Sequence, residues 1–320
     1  KLVEGAQDSP LLRRIAGIRR QLAAELGYLL PPVRVTDNLS LRPGEYVISL
    51  KGVEISRYEF MQGCHLAITA GKSEPIREAQ ATREPAFGMP AWWVPADAVE
   101  RVRKSGFTVV DPVSVLGTHL SEVIRRHAHE LFSRQDARKL LDRVAIDSPK
   151  LVEDLVPKLL PLALVQRVLQ NLLRERVSIR DAVSILEAMG EAGVTTRNPV
   201  LLTEYVRQAI RRAVVKPYLN RNGELAAYFL DPAIEQAVES AIEHGEQNSH
   251  LAMAPQTIRD VLNRIANKVG APESPLVVVT SSAARYFLRQ MTEPALSSVF
   301  FLSHNEVPPG VKVVSLGVIQ

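Results

Sequence analysis

The chain has a single cysteine, Cys64, which excludes an internal disulfide and any zinc site built on paired thiolates, since both need two sulfurs. No apolar run reaches the roughly 18 residues that a membrane-spanning helix requires. Aromatic residues make up only 5% of the sequence, which supplies a base-stacking surface poorly. The motifs of common catalytic sites are missing as well: there is no Gly-x-Ser-x-Gly elbow, no His-Glu-x-x-His and no cysteine–histidine pair with an orienting group. The sequence starts at Lys1 without a methionine or a signal-like apolar core, and we expect a domain cut from a longer polypeptide.

What is present describes a folded, multidomain chain. Hydrophobic residues at 46% and charged residues at 23% are ordinary for a globular protein, and 320 residues predict two to four domains. The net charge of +4 and pI of about 9.2 raise the question of nucleic acid. Residues 213–320 hold 8 Lys and Arg against 10 Asp and Glu, so the rest carries 31 against 25, a modest excess interleaved with acids. The doublets Arg13-Arg14, Arg19-Arg20, Arg125-Arg126 and Arg211-Arg212 read as solvated helix faces or inter-domain contacts, and no nucleic-acid partner is expected.

The most informative stretch is Glu130 to Ala182. Leu155, Leu159 and Leu160, then Val165, Val168, Leu169, Leu172 and Leu173, recur at helical spacing, with Arg and Glu on the other faces. Proline falls where helices start or stop, so a compact helical module is predicted over 133–215. Ahead of it, Ser9-Pro10 starts a helix whose stripe runs Leu11, Ile15, Ile18, Leu22, Leu26 to Gly27, and residues 1–8 read as a linker. Strands are expected at Val33–Thr36 and Tyr46–Leu50, the second extending towards Ile55. A change of character over 63–111 reads as an inserted subdomain: a strand at Leu66–Thr69, a charged loop from Gly71 to Arg83, a helix from Pro95 to Lys104 and a strand at Phe107–Val110. A helix from Val113 to Phe132 returns to the first domain, which therefore comprises 9–62 and 112–132. Beyond the turn Asn220-Arg221-Asn222-Gly223, strands at Ala226–Leu230, Leu276–Thr280, Val299–Leu302 and Val311–Leu316 alternate with helices at Pro232–His244, Pro255–Val269 and Ala283–Met291. The expected class is α+β multidomain: a small α+β first domain with an inserted α/β subdomain, an all-helical middle domain, and a compact C-terminal α/β domain over 216–320.

Candidate chemistry fares poorly residue by residue. Gly71-Lys72-Ser73 mimics the end of a phosphate-binding loop, but the required earlier glycine is Leu66. His127 and His129 are two apart on a predicted helix, so their side chains point about 200° apart and cannot grip one ion. His119 lies two full turns from His127, too far to share a metal. Glu153 and Asp154 are first-turn helix charges. No enzyme, cofactor or metal is expected. The segment Glu84-Pro85-Ala86-Phe87-Gly88-Met89-Pro90-Ala91-Trp92-Trp93 is different, because both tryptophans and a phenylalanine stand beside prolines that stiffen the backbone. Trp92 and Trp93 read as the insert's own core. Phe87, between Pro85 and Gly88, is the residue expected to line a surface groove of the kind that docks an amphipathic helix.

The Glu130–Ala182 stretch, Asp37-Asn38-Leu39, Lys51-Gly52-Val53-Glu54-Ile55, Glu84-Pro85-Ala86-Phe87-Gly88 with Ala91-Trp92-Trp93, Thr118-His119-Leu120 and Leu302-Ser303-His304-Asn305-Glu306 together resemble the cytoplasmic region of the FlhA (FHIPEP) family, large export-gate subunits of the flagellar type III secretion apparatus. The resemblance runs from about Ser9 to Gln320. It implies a docking platform on the cytoplasmic face of the bacterial inner membrane, below an N-terminal membrane region, in a homo-oligomeric ring of nine. Its partners would be flagellar export chaperones with filament-type substrates, the export ATPase complex and the export switch protein. It also implies a chaperone-docking site between first domain and insert, made by an acidic residue, a phenylalanine three positions later and a threonine on the returning segment. Here these are Glu84, Phe87 and Thr118, with Val110 and Val115 as apolar neighbours. Aspartate is the usual acid, so Glu84 keeps the charge and lengthens its reach by one methylene; Gln62 and Ala70 replace prolines common in the family. The gate of a virulence injectisome is the near alternative, and a basic nucleic-acid-binding regulator the remote one.

Overall fold

The computed structural model describes residues 9–69, 76, 79–270 and 275–320. The chain is a mixed α+β protein folded as two compact units, one of Lys1–Glu25 with Leu29–Leu131 and one of Leu26–Tyr28 with Phe132–Gln320. Lys1 to Asp8, Ala70 and Gly71-Lys72-Ser73 lie outside the described residues. Among the described residues no helix is long and apolar enough to cross a membrane.

In the first unit, α1 (Pro10–Leu26) starts where the Ser9 hydroxyl accepts the amide of Leu12 at 3.2 Å. Its leucine and isoleucine stripe, Leu11, Ile15, Ile18 and Leu22, is buried. The hairpin β1 (Glu45–Leu50) and β2 (Val53–Glu59) turns at Lys51 and Gly52, whose φ values of 51° and 86° match the backbone twist a two-residue hairpin needs. A four-stranded antiparallel sheet follows, ordered β4-β5-β3-β6: β3 (Cys64–Ile68), β4 (Gln80–Arg83), β5 (Pro90–Pro95) and β6 (Thr108–Val110). Between the last two, α2 (Val99–Lys104) packs Val99 and Val102 against Trp92, Phe107 and Val109. Asp111 caps α3 (Pro112–Arg126) by accepting the amide of Ser114, and the short α4 (Ala128–Leu131) ends the unit.

The second unit opens with helices α5 (Arg134–Asp147), α6 (Pro149–Glu153), α7 (Leu162–Arg174), α8 (Ala182–Gly193), α9 (Pro199–Ala209) and α10 (Arg211–Val215). Ser133 and Asp136 form a reciprocal capping box on α5, and Val165, Val168, Leu169, Leu172 and Leu173 of α7 are fully buried. Tyr28 meets Phe132 edge-on at 5.0 Å. Then come β7 (Leu225–Leu230), α11 (Pro232–Glu239), the small hairpin β8 (Ile242–His244) and β9 (Ser249–Leu251), α12 (Pro255–Val269), β10 (Leu276–Thr280), α13 (Ser282–Thr292), β11 (Val299–Ser303) and β12 (Val313–Ile319). The parallel sheet runs β11-β10-β7-β12, so β7 enters the middle and later strands are laid on both sides.

A charged cluster is sealed inside this unit. Arg285 of α13 donates to Glu204 at 2.8 Å and to Glu175 at 3.0 Å, and Arg207 of α9 donates to Glu175 at 3.1 Å and pairs with Glu306. Glu306 in turn accepts the amide of Ser303 at 2.7 Å. Arg289 completes the set by lying over the Phe300 ring at 4.7 Å. Burial pushes Glu175 upward, but the guanidinium groups of Arg285 and Arg207 outweigh it and hold its carboxyl down at about 2. These contacts join the helical run to the parallel sheet.

The elements depart from expectation in five places. Val33–Thr36 is not a strand, because among the described residues no strand pairs with it. The expected extension of Tyr46–Leu50 towards Ile55 is instead the turn into β2. Part of the expected loop before Arg83 is β4, a polar edge strand whose pairing with β5 carries no apolar signature. The helix expected to reach His244 stops at Glu239, and Ile242–His244 enters a hairpin closed by the Gly245 amide on the Asn248 carbonyl at 2.7 Å. The return helix, expected to Phe132, also breaks at His127, where φ and ψ are −105° and 14°.

Candidate docking surface

Phe87 and Glu84 share one turn between β4 and β5. The turn closes by two backbone bonds, Glu84 amide to Met89 carbonyl at 2.8 Å and Gly88 amide to Glu84 carbonyl at 2.9 Å. Gly88, at φ 72°, supplies the left-handed residue this closure needs. Within it the Glu84 carboxylate, 3% exposed, accepts the amides of Ala86 at 2.8 Å and Phe87 at 2.7 Å. The Phe87 ring is left 60% exposed on a backbone held from inside, and an exposed aromatic on a fixed turn loses little freedom when covered.

The turn is braced from outside. Arg83 donates to the Gly88 carbonyl at 2.8 Å, and the Tyr58 hydroxyl donates to the Arg83 carbonyl at 2.9 Å. The Tyr58 ring lies 6.0 Å from Phe60 and 6.1 Å from Trp93. Phe60, Leu66, Ala91, Trp93 and Val115 form one buried cluster, against which Val110, Leu116 and Tyr46 pack half-buried. The turn and the first half of α3 are therefore mounted on the same core.

The five residues assigned by resemblance take different positions. Phe87 is exposed and Glu84 buried beneath it. Val115, 2% exposed, belongs to the supporting core and presents no surface of its own, while Val110 is half-buried at the end of β6. Thr118 is exposed one turn after Ser114, whose carbonyl accepts its hydroxyl at 3.1 Å. Tyr58 and Arg83 are missing from the sequence reading: Arg83 directly precedes the turn at the end of β4, and Tyr58, on β2 of the separate hairpin, reaches it only because its ring packs beside Phe60 and Trp93. Met61, 42% exposed, adds an apolar residue directly after Phe60.

Next to Thr118, His119 is buried with both ring nitrogens occupied, Nδ1 at 2.7 Å from the Tyr46 hydroxyl and Nε2 at 2.7 Å from the Ser56 hydroxyl. It thereby ties α3 to both strands of the first hairpin. Burial, with Arg126 nearby, pushes its pKa down. His127 is 2.7 Å from the Glu130 carboxylate. Among the described residues no three His, Cys, Asp or Glu side chains gather as a metal-holding group.

The comparisons with known proteins agree on one family. The FHIPEP family matches residues 1–312. The flagellar biosynthesis protein FlhA of Bacillus subtilis is 34% identical over 322 residues, covering 100% of this chain and 48% of that protein. FlhA of Escherichia coli is 38% identical over 309 residues, covering 96% and 44%. Among solved structures, the Chlamydia pneumoniae CdsV protein superposes with a TM-score of 0.88 at 26% identity over 100% of this chain and 94% of that one; CdsV has also been solved in complex with CdsO. The fold is thus that of the CdsV structure, a mixed helix-and-sheet domain. By family, the chain belongs to FHIPEP. It spans less than half the length of these two FlhA proteins.

Proposed function

We propose that this chain is the cytoplasmic docking platform of a flagellar type III export gate, which receives chaperone–substrate complexes and orders their export. One observation carries the reading: a 60% exposed phenylalanine is presented on a turn whose backbone is locked by a buried carboxylate. Membership of the FHIPEP family and the flagellar biosynthesis role in the relatives' names support the flagellar setting. We read the first unit as an α+β domain (9–62 and 112–132) carrying an insert (63–111), and the second as a helical domain (133–215) followed by an α/β domain (216–320). The platform sits at the inner membrane as the cytoplasmic part of a longer protein, assembled as a nine-membered ring. Phe87, Thr118 and the half-buried Val110 face the chaperone, with Val115 supporting them. The ATPase complex and the export switch protein would bind elsewhere on it; the CdsV–CdsO complex shows that a protein of this fold accepts a further partner.

Calorimetry with cognate flagellar chaperone–substrate complexes tests this. Phe87→Ala should weaken binding by about 2 kcal/mol or more, as loss of a buried aromatic anchor does, with the melting temperature unchanged. Equal affinity of the two proteins would remove Phe87 from the site.

A further inference from the structure

We infer that Glu84 is a positioning residue: its carboxylate builds the turn that presents Phe87 and does not itself touch the docked partner. The partner half of this statement rests on the docking reading above; the turn half stands on geometry alone. At 3% exposure the side chain is turned away from any surface a partner could cover. Its two oxygens are divided, Oε1 taking the Ala86 amide and Oε2 the Phe87 amide. Burying a carboxylate is costly unless it is well bonded, and charge-assisted bonds of 2.8 and 2.7 Å are the strong kind.

Those two amides need the carboxylate as much as it needs them. Residues 85–87 lie between the ladder of β4 and β5 and the turn-closing bonds of Glu84, so the Ala86 and Phe87 N–H groups have no backbone acceptor in the sheet. The Phe87 amide nitrogen is bonded to Cα, so holding it helps to fix the Cα–Cβ direction along which the side chain leaves the turn. Arg83 and Tyr58 hold the same turn from the far side. Acidic side chains commonly bond backbone amides two residues on. An aspartate at this position can reach the same amides on a shorter arm, so the additional methylene of Glu84 changes the cap's reach and not its task.

A double-mutant cycle separates this role from direct contact. Glutamine has one acceptor oxygen where glutamate has two, and its amide group faces the second backbone N–H as a donor. Affinity for a cognate chaperone–substrate complex would be measured for Glu84→Gln, Glu84→Asp, Phe87→Leu and Glu84→Gln combined with Phe87→Leu. Hydrogen exchange at the Ala86 and Phe87 amides would be followed alongside. Positioning requires that Glu84→Gln weaken binding and speed exchange at both amides by roughly tenfold each, that Glu84→Asp restore both, and that Glu84→Gln cost much less once Phe87 is leucine. An undiminished loss in the Phe87→Leu background would show direct contact and overturn the inference, with docking intact. Unchanged exchange at both amides in Glu84→Gln would overturn it whatever the affinities. If no complex binds even the parent chain, the docking reading fails on its own, and the exchange data alone decide whether Glu84 builds the turn.

Discussion

Trp92 and Trp93 are neighbours on β5 and face opposite sides of its sheet. Trp92 meets Phe107 edge-on at 5.7 Å in the cluster that holds Val99 and Val102 of α2, whereas Trp93 lies 6.2 Å from Phe60 in the cluster that holds Val115 of α3. Alternation along a strand makes this possible. One residue packs the sheet against α2 and its neighbour packs the other face of the sheet against the hairpin and α3.

Both tryptophans are therefore structural, and Trp92→Ala and Trp93→Ala should each destabilise the first unit by about 3–5 kcal/mol. Urea unfolding followed by hydrogen exchange distinguishes them. Trp92→Ala should release the β6 and α2 amides first, and Trp93→Ala those of β2 and α3.

In the second unit Leu172 is fully buried on α7, and Leu172→Ala should cost about 2–5 kcal/mol through the cavity it leaves. A variant with the parent's urea midpoint would mean that the helix presents a different face to the core.

Arg285 bonds both Glu175 and Glu204. Arg285→Met should destabilise the second unit by about 3–5 kcal/mol, since it leaves two buried carboxylates short of a partner. The acid limb provides a second check. Glu175 is held near pKa 2 against an ordinary 4.5, so its stabilisation is complete above pH 4.5 and is lost as the pH falls through the window to about 2. Burial shifts Glu204 the other way, so it takes up a proton before Glu175 does and works against that loss. Chemical denaturation from pH 5 to pH 2, or about that range, should show a declining stability whose slope is flatter in Glu175→Gln.

His119 should give the first unit its own pH dependence. Its pKa lies below the ordinary 6.5, so the unfolded chain binds the proton more readily and stability declines as the pH falls below 6.5. His119→Gln, which can still meet the Tyr46 and Ser56 hydroxyls, should lose that dependence. A parent protein with flat stability over this window would show that the buried ring accepts a proton at no cost.

Apolar patterning sufficed to place the main helices and the parallel strands, though not all of their ends: the stripe from Leu11 to Leu26 and the α7 leucines recur at helical spacing on one buried face, and the continuous run Val277, Val278 and Val279 marks β10 as a strand buried on both faces. A capping side chain followed by proline marked several of the starts, at Ser9-Pro10, Asn198-Pro199 and Asp231-Pro232. Short or polar strands carry no such signal, which is why β4, β8 and β9 were illegible and Val33–Thr36 looked like a strand without a partner. The exposure of Phe87 could be expected from its flanking proline and glycine. That Glu84 is buried under two amides of its own turn, that Val115 is core, and that Tyr58 and Arg83 brace the turn depended on how the turn folds back and on the packing of hairpin, sheet and α3 around Phe60 and Trp93. The clustering of Glu175, Glu204, Arg207, Arg285 and Glu306 depended likewise on long-range packing, with partners as far as 110 positions apart. Spacing along the chain determines which side chains share a face of one helix or strand; only tertiary packing decides which faces meet, and hence which charges are buried together and which ring remains outside.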